Sequence, residues 1–218
     1  MRITLIKRKS ILLTSSVVVF PFMFVVFKTL TSLYGTERGY FIGFIIYWIY
    51  CITISSIVFR QNDNKFIDIF RINLKTNKYS VIFSLLTLIP VFGVFYIQFL
   101  PNVDLLTKGL LLLVLTNAIL NGLIEELYWR GLYLLEFKQN IWLGFCFSTF
   151  FFGVWHIALY TIQDIDYGGF FPLVAGAFFM GLLWSFCTRQ LNSITFPVIA
   201  HVLVNIFAFT GLYINNGF

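Results

Sequence analysis

The sequence predicts an all-α, polytopic transmembrane helix bundle of about seven spans, and three observations predict it. Only 11% of the 218 residues are charged and 59% are hydrophobic, whereas a soluble domain carries roughly 25% charged residues. Mean hydropathy is +0.88 over the whole chain. The apolar residues fall into runs of about 20, the helix length that crosses a hydrocarbon core of ~30 Å. An ordinary soluble globule is excluded, and the chain length fits a single integral membrane domain over residues 1–218.

The first run extends from about Ile11 to Leu33, behind Arg2, Lys7, Arg8 and Lys9. It is longer than the 7–15-residue core of a signal peptide and lacks an A-x-A-like exit, so it reads as a retained signal anchor. The second runs from about Tyr40 to Phe59. The polar segment Arg60 to Lys78 then interleaves charges with Phe66, Ile67, Ile69, Phe70 and Ile72, a pattern for a short helix lying in the membrane interface. The third run, about Tyr79 to Phe99, contains Pro90, where a kink is expected. Pro101-Asn102-Val103-Asp104 signals a turn. The fourth run starts near Leu105 and continues as helix to about Leu135; the fifth covers about Ile141 to Tyr160. The acidic, glycine-bearing stretch Thr161 to Gly169 reads as a loop. The sixth run, about Phe170 to Cys187, offers Ala177 and Gly181 as a small-xxx-small face for close packing. The seventh, about Ile194 to Ile214, is entered through Pro197.

Alternating these spans from a cytoplasmic amino terminus puts twelve basic residues inside: Arg2, Lys7, Arg8, Lys9, Arg60, Lys65, Arg71, Lys75, Lys78, Arg130, Lys138 and Arg189. Only Lys28, Arg38 and Lys108 fall outside. The positive-inside rule favours this orientation, with the carboxy terminus and the Asp164–Asp166 loop outside. The net charge of +6 is thereby a matter of topology. No basic patch with interleaved aromatics stands out, so no nucleic-acid partner is expected. Cys51, Cys146 and Cys187 lie within or at the ends of apolar runs with no C-x-x-C, which predicts buried free thiols.

The fourth run is the one that breaks the apolar rule. Asn117, Asn121 and Glu125 recur at i, i+4 and i+8 and share a helix face. Glu126 and Arg130 are also four apart and can pair on the neighbouring face. An ionised side chain at the bilayer centre costs at least ~2.5–3.5 kcal/mol, so such residues face a protein interior or a wet cavity and mark a functional site. The only two histidines also lie in apolar runs, His156 in Phe152-Gly-Val-Trp-His156 and His201 in His201-Val-Leu-Val-Asn205. At ~1.5 Å per residue, Glu125, His156 and His201 fall about 16, 22 and 12 Å from the expected cytoplasmic helix ends. The three groups thus lie at overlapping depths.

The order E-E-x-x-x-R, F-x-x-x-H, H-x-x-x-N resembles the CPBP intramembrane protease family, which includes the CAAX-processing Ras-converting endopeptidase and bacterial abortive-infection and bacteriocin-immunity proteins. The resemblance covers about Leu105 to Leu212. It implies peripheral helices over 1–104 and catalytic helices over 105–218. It also implies that Glu125, with His156, activates a water as general base, and that His201 and Asn205 donate to the oxyanion of a scissile peptide. Glu126 and Arg130 would support the site. The expected partners are the lipid bilayer and a membrane peptide or protein substrate.

Glu125, His156 and His201 could instead bind Zn²⁺ with one position open. The H-E-x-x-H spacing is absent, however, and the reading favours no cofactor. Small size with much Phe, Ile, Asn and Lys suggests a bacterial plasma-membrane protein. Two other functions stay open: a non-proteolytic immunity or peptide-binding protein of the same fold, and a small transporter, disfavoured by the lack of internal repeats. Taken singly, Asn117 and Asn121 read as interhelical contacts. Trp129, Trp155 and Trp184 could shape a cavity or face lipid.

Overall fold

The computed structural model describes residues 5–59, 63–71 and 79–218. Among them seven helices are long and apolar enough to cross a membrane, and no strand occurs. The expected all-α polytopic bundle is the observed fold. Arg2, Arg60, Ile72, Lys75 and Lys78 of the sequence reading lie outside the described residues, as does the side chain of Lys65.

The first span is α1 (Leu5–Tyr34). It begins within the basic stretch and runs through Pro21 unbroken, so the helix is longer than its apolar core. Gly35, at φ +81°, makes the turn into α2 (Thr36–Phe59). Here only a residue free to adopt a left-handed backbone reverses the chain in one step. The predicted interfacial segment contains a short helix, α3 (Asp63–Asp68). Phe66 and Ile67 are exposed while Ile69 is buried. The Ile69 and Phe70 carbonyls accept from the Ile194 N–H (2.9 Å) and the Thr195 hydroxyl (2.8 Å), fastening this segment to the start of the last helix.

The third span is broken into α4 (Ser80–Leu86) and α5 (Ile89–Val94), followed by a π-helical turn at Phe95–Phe99. Pro90 sits in the first turn of α5, where its missing N–H costs nothing. The break therefore falls two to three residues before the proline. Val91 N–H turns to the Leu88 carbonyl (3.0 Å), which frees the Thr87 carbonyl to accept from Trp184 Nε1 (3.0 Å).

The fourth span is α6 (Lys108–Glu126), a π turn at Leu127–Gly131 and α7 (Leu132–Phe137). Thr107 caps it by accepting from Leu110 N–H. The fifth is a π segment, Trp142–Phe147, running into α8 (Ser148–Tyr160). The sixth is a π turn, Phe171–Ala175, and α9 (Gly176–Leu191); the seventh is α10 (Thr195–Asn215).

Neighbouring helices close a ring. α1 packs on α2 and α8, α8 on α9, α9 on α4, α5 on α10, and α10 on α6. The π turn of the fourth span touches both α2 and α8, which puts it inside the ring. The large residues of that interior are aromatic: Trp129, Trp155, Trp184, Tyr47 and Tyr128 are all buried. Aliphatic side chains such as Ile97 and Leu112 point outward, as lipid contact requires. All three cysteines are free; Cys51 and Cys187 are buried and Cys146 is partly so.

Candidate active site

The site is assembled where α6 meets α2 and α10. Asn117, Asn121 and Glu125 are all buried on one face of α6. Glu125 has no exposed surface, and its two oxygens are approached from different helices. Tyr47 of α2 donates its hydroxyl to Oε1 at 2.6 Å, while Asn121 Nδ2 donates to Oε2 at 3.0 Å. Trp129 Nε1 donates to the Tyr47 hydroxyl (3.0 Å) and Trp48 Nε1 to Asn121 Oδ1 (2.9 Å). The Tyr47 ring stacks on Trp155 at 4.0 Å between centroids. Asn117 turns back to the Leu113 carbonyl and takes no part.

The second carboxylate gathers the cations. Glu126 Oε1 accepts from Arg130 Nη1 and from His201 Nδ1, both at 2.8 Å. The spacing of Glu126 and Arg130 anticipated their pairing; it did not reveal the histidine. The other nitrogen of His201, Nε2, stands 3.4 Å from Glu125 Oε2. One imidazole therefore bridges two carboxylates that are adjacent in sequence.

Arg130 is buried, with Nε and Nη2 lacking hydrogen-bond partners among the described residues. Its charge is met by aromatic faces instead, Phe152 at 3.9 Å and Trp184 at 5.7 Å, an arrangement favourable for a guanidinium out of water. Gly181 leaves the room: a Cβ there would come within 3.1 Å of the Phe152 ring and 3.6 Å of Arg130 Nη2. Trp184, anchored on the carbonyl freed at the Pro90 break, also packs on His201 at 4.7 Å.

The close approach of α6 and α10 has a local cause. A Cβ on Gly122 would meet Val202 Cγ2 at 2.8 Å and the Val202 backbone nitrogen at 3.0 Å. Only glycine permits that distance, one turn before Glu125 and beside His201.

His156 lies farther off. Its Nδ1 is 2.7 Å from the Phe152 carbonyl, and since a carbonyl only accepts, Nδ1 carries the proton and Nε2 is the free nitrogen. His156 forms no hydrogen bond with either carboxylate; the Phe152 ring contacts both imidazoles, His156 at 4.8 Å and His201 at 6.2 Å. The partners of Glu125 among the described residues are Tyr47, Asn121 and His201. Asn205, one turn after His201, is buried with Nδ2 unpartnered. Among the described residues no three His, Cys, Asp or Glu side chains converge as metal ligands. Both nitrogens of His201 face carboxylate oxygens instead.

Tyr47, Trp48 and the bridging role of His201 escaped the sequence reading. One signal was available for the first two. Tyr and Trp gather at membrane interfaces, yet Tyr47 and Trp48 lie midway along α2, where an O–H or N–H must find a partner inside the protein.

Residues 107–207 match the family described as type II CAAX prenyl endopeptidase Rce1-like. The segment contains all three motifs that carried the resemblance. Neither a curated protein nor a solved structure matches the chain.

Proposed function

We propose that this chain, whose residues 107–207 match the Rce1-like CAAX protease family, is an intramembrane endopeptidase working by glutamate-activated water. The observation that carries the proposal is the meeting of Glu125, Glu126 and His201, from helices 75 positions apart, within hydrogen-bond or ion-pair distance. A buried carboxylate aimed at a buried imidazole is a costly arrangement to keep for packing alone.

Glu125 is the general base. It takes a proton from water as the water oxygen attacks the scissile carbonyl carbon, and returns it to the leaving amine when the C–N bond breaks. His156 Nε2, free to accept, is the second holder of that water. Glu126 fixes His201 by accepting from Nδ1, so that Nε2 can donate to the oxyanion together with Asn205 Nδ2, whose hydrogens are unspent. Donation from both Nδ1 and Nε2 requires a hydrogen on each ring nitrogen. His201 must turn from Glu125 towards the substrate for the oxyanion step. Water activation needs no metal, and the poor convergence of Glu125, His156 and His201 as a ligand set supports that version.

The test is cleavage of candidate membrane peptides, prenylated and unprenylated, by purified protein in nanodiscs. Glu125→Gln and His201→Ala should each lower turnover by at least about a hundredfold, the range of a lost base or oxyanion donor. Chelators should leave wild-type turnover unchanged, and metal analysis should find no stoichiometric zinc. Wild-type peptide binding without turnover, surviving Glu125→Gln, would assign the chain to peptide binding or immunity instead.

A further inference from the structure

We propose that Tyr47 of α2, together with Asn121 of α6, is a positioning residue for Glu125: two relays, each polarised by an indole N–H, hold the carboxylate in one orientation and leave a lone pair free on Oε1. The proposal deepens the reading of Glu125 as the base and rests on it. It also assigns a role to a helix outside the segment that matches the family.

The polarity of both relays follows from the indoles. An indole N–H only donates. Trp129 Nε1 therefore makes the Tyr47 oxygen accept, while the phenolic hydrogen goes to Glu125 Oε1 at 2.6 Å. Trp48 Nε1 likewise forces Asn121 Oδ1 to face it, which turns Nδ2 towards Glu125 Oε2. Without the indoles the hydroxyl could rotate and the amide could flip. With them, both hydrogens point at the carboxylate and hold its orientation. Stacking on Trp155 prevents the Tyr47 ring from following any movement of the glutamate.

The relays also distinguish the two oxygens. A carboxylate offers about four lone-pair positions, two on each oxygen. Oε2 faces both Asn121 Nδ2 and His201 Nε2, whereas Oε1 faces the Tyr47 hydroxyl alone. While His201 faces Glu125, the position left for a water proton is on Oε1, the oxygen whose placement Tyr47 sets.

The test reads the carboxylate without any substrate. In protein carrying ¹³C-labelled glutamate, the infrared difference between wild type and Glu125→Gln identifies the Glu125 band. Tyr47→Phe keeps the stacked ring and deletes the donor, so that band should move. Trp129→Phe should move it in the same direction by less, and this variant decides the matter if Tyr47→Phe does not fold. Tyr50→Phe is the control, because Tyr50 lies on the same helix but donates to the Ser15 carbonyl; it should leave the band in place. On any peptide that the wild type cleaves, Tyr47→Phe should lower kcat about ten- to a hundredfold, as expected for a lost hydrogen bond to a charged group, with KM changed less than about twofold. A Glu125 band unmoved in both Tyr47→Phe and Trp129→Phe, or moved equally by Tyr50→Phe, overturns the proposal. Absence of wild-type turnover would count against the protease reading and leave the infrared result standing.

Discussion

Glu126 bears more of the site than its neighbour does. Glu125 is held by neutral donors and approached by one imidazole, whereas Glu126 Oε1 receives both Arg130 and His201. Removing its charge leaves a guanidinium, 1% exposed, without its ion-pair partner. Breaking a buried pair in this way costs about 3–5 kcal/mol. Glu126→Gln should therefore unfold at markedly lower denaturant or temperature than wild type. Glu125→Gln should lose less, because it keeps the Tyr47 bond and leaves the pairs of Glu126 with Arg130 and His201 in place. Reversible unfolding of both variants in mixed detergent measures the difference. Equal stability of the two would mean that the aromatic faces of Phe152 and Trp184 alone satisfy Arg130, and that Glu126 serves His201 only.

At the scale of elements, the spans were legible and their irregularities were not. Apolar runs and turn residues are local signals, so all seven spans appear close to where hydropathy puts them. A π turn leaves no such trace, since it adds a residue to a turn without changing composition. The one at Leu127–Gly131 follows Glu126 directly, in keeping with the tendency of π segments to occur at functional sites. The i, i+4 spacing foretold Glu126 with Arg130 because both lie on one helix. It could not foretell His201 between two carboxylates, which depends on how α10 is rotated against α6, nor Tyr47, which reads in sequence as one more aromatic residue in a greasy helix. That rotation is set partly by Gly122. Gly122→Ala should cost about 1–3 kcal/mol by overpacking and should also lower turnover, because Val202 can yield only by carrying His201 away from Glu126. Val202→Ala in the same chain removes Cγ2 but leaves the backbone nitrogen 3.0 Å from the new Cβ, so the rescue should be partial. Full recovery of melting temperature and rate in the double variant would show that side-chain crowding alone sets the helix distance.

For the whole molecule, contacts between distant residues sort the helix ends into two groups, and the charges give the groups a direction. Arg8 pairs with Glu136 (3.5 Å) and Lys9 lies over Phe137 (5.4 Å), tying the start of α1 to the end of α7. At the opposite end Asn216 bonds Asp166 through both amide atoms, and Phe218 packs on Tyr40. The first end carries Lys7, Arg8, Lys9, Arg71, Lys138 and Arg189, and the second Lys28, Arg38 and Lys108; by the positive-inside rule we propose that the first end faces the cytoplasm. Glu125 lies about 18 Å from this first end along its helix and His201 about 9 Å from it along α10, at ~1.5 Å per residue. A substrate on the cytoplasmic side would have the shorter route to both. Gln139 and Gln163 are exposed at opposite ends, which makes the orientation measurable. In a cysteine-free background, a membrane-impermeant maleimide should label Gln163→Cys on intact cells and Gln139→Cys only after permeabilisation. The reverse pattern would turn the protein over in the membrane and put the first end outside. Labelling of both on intact cells would put these two loops on one side, which the odd number of helix crossings between them forbids.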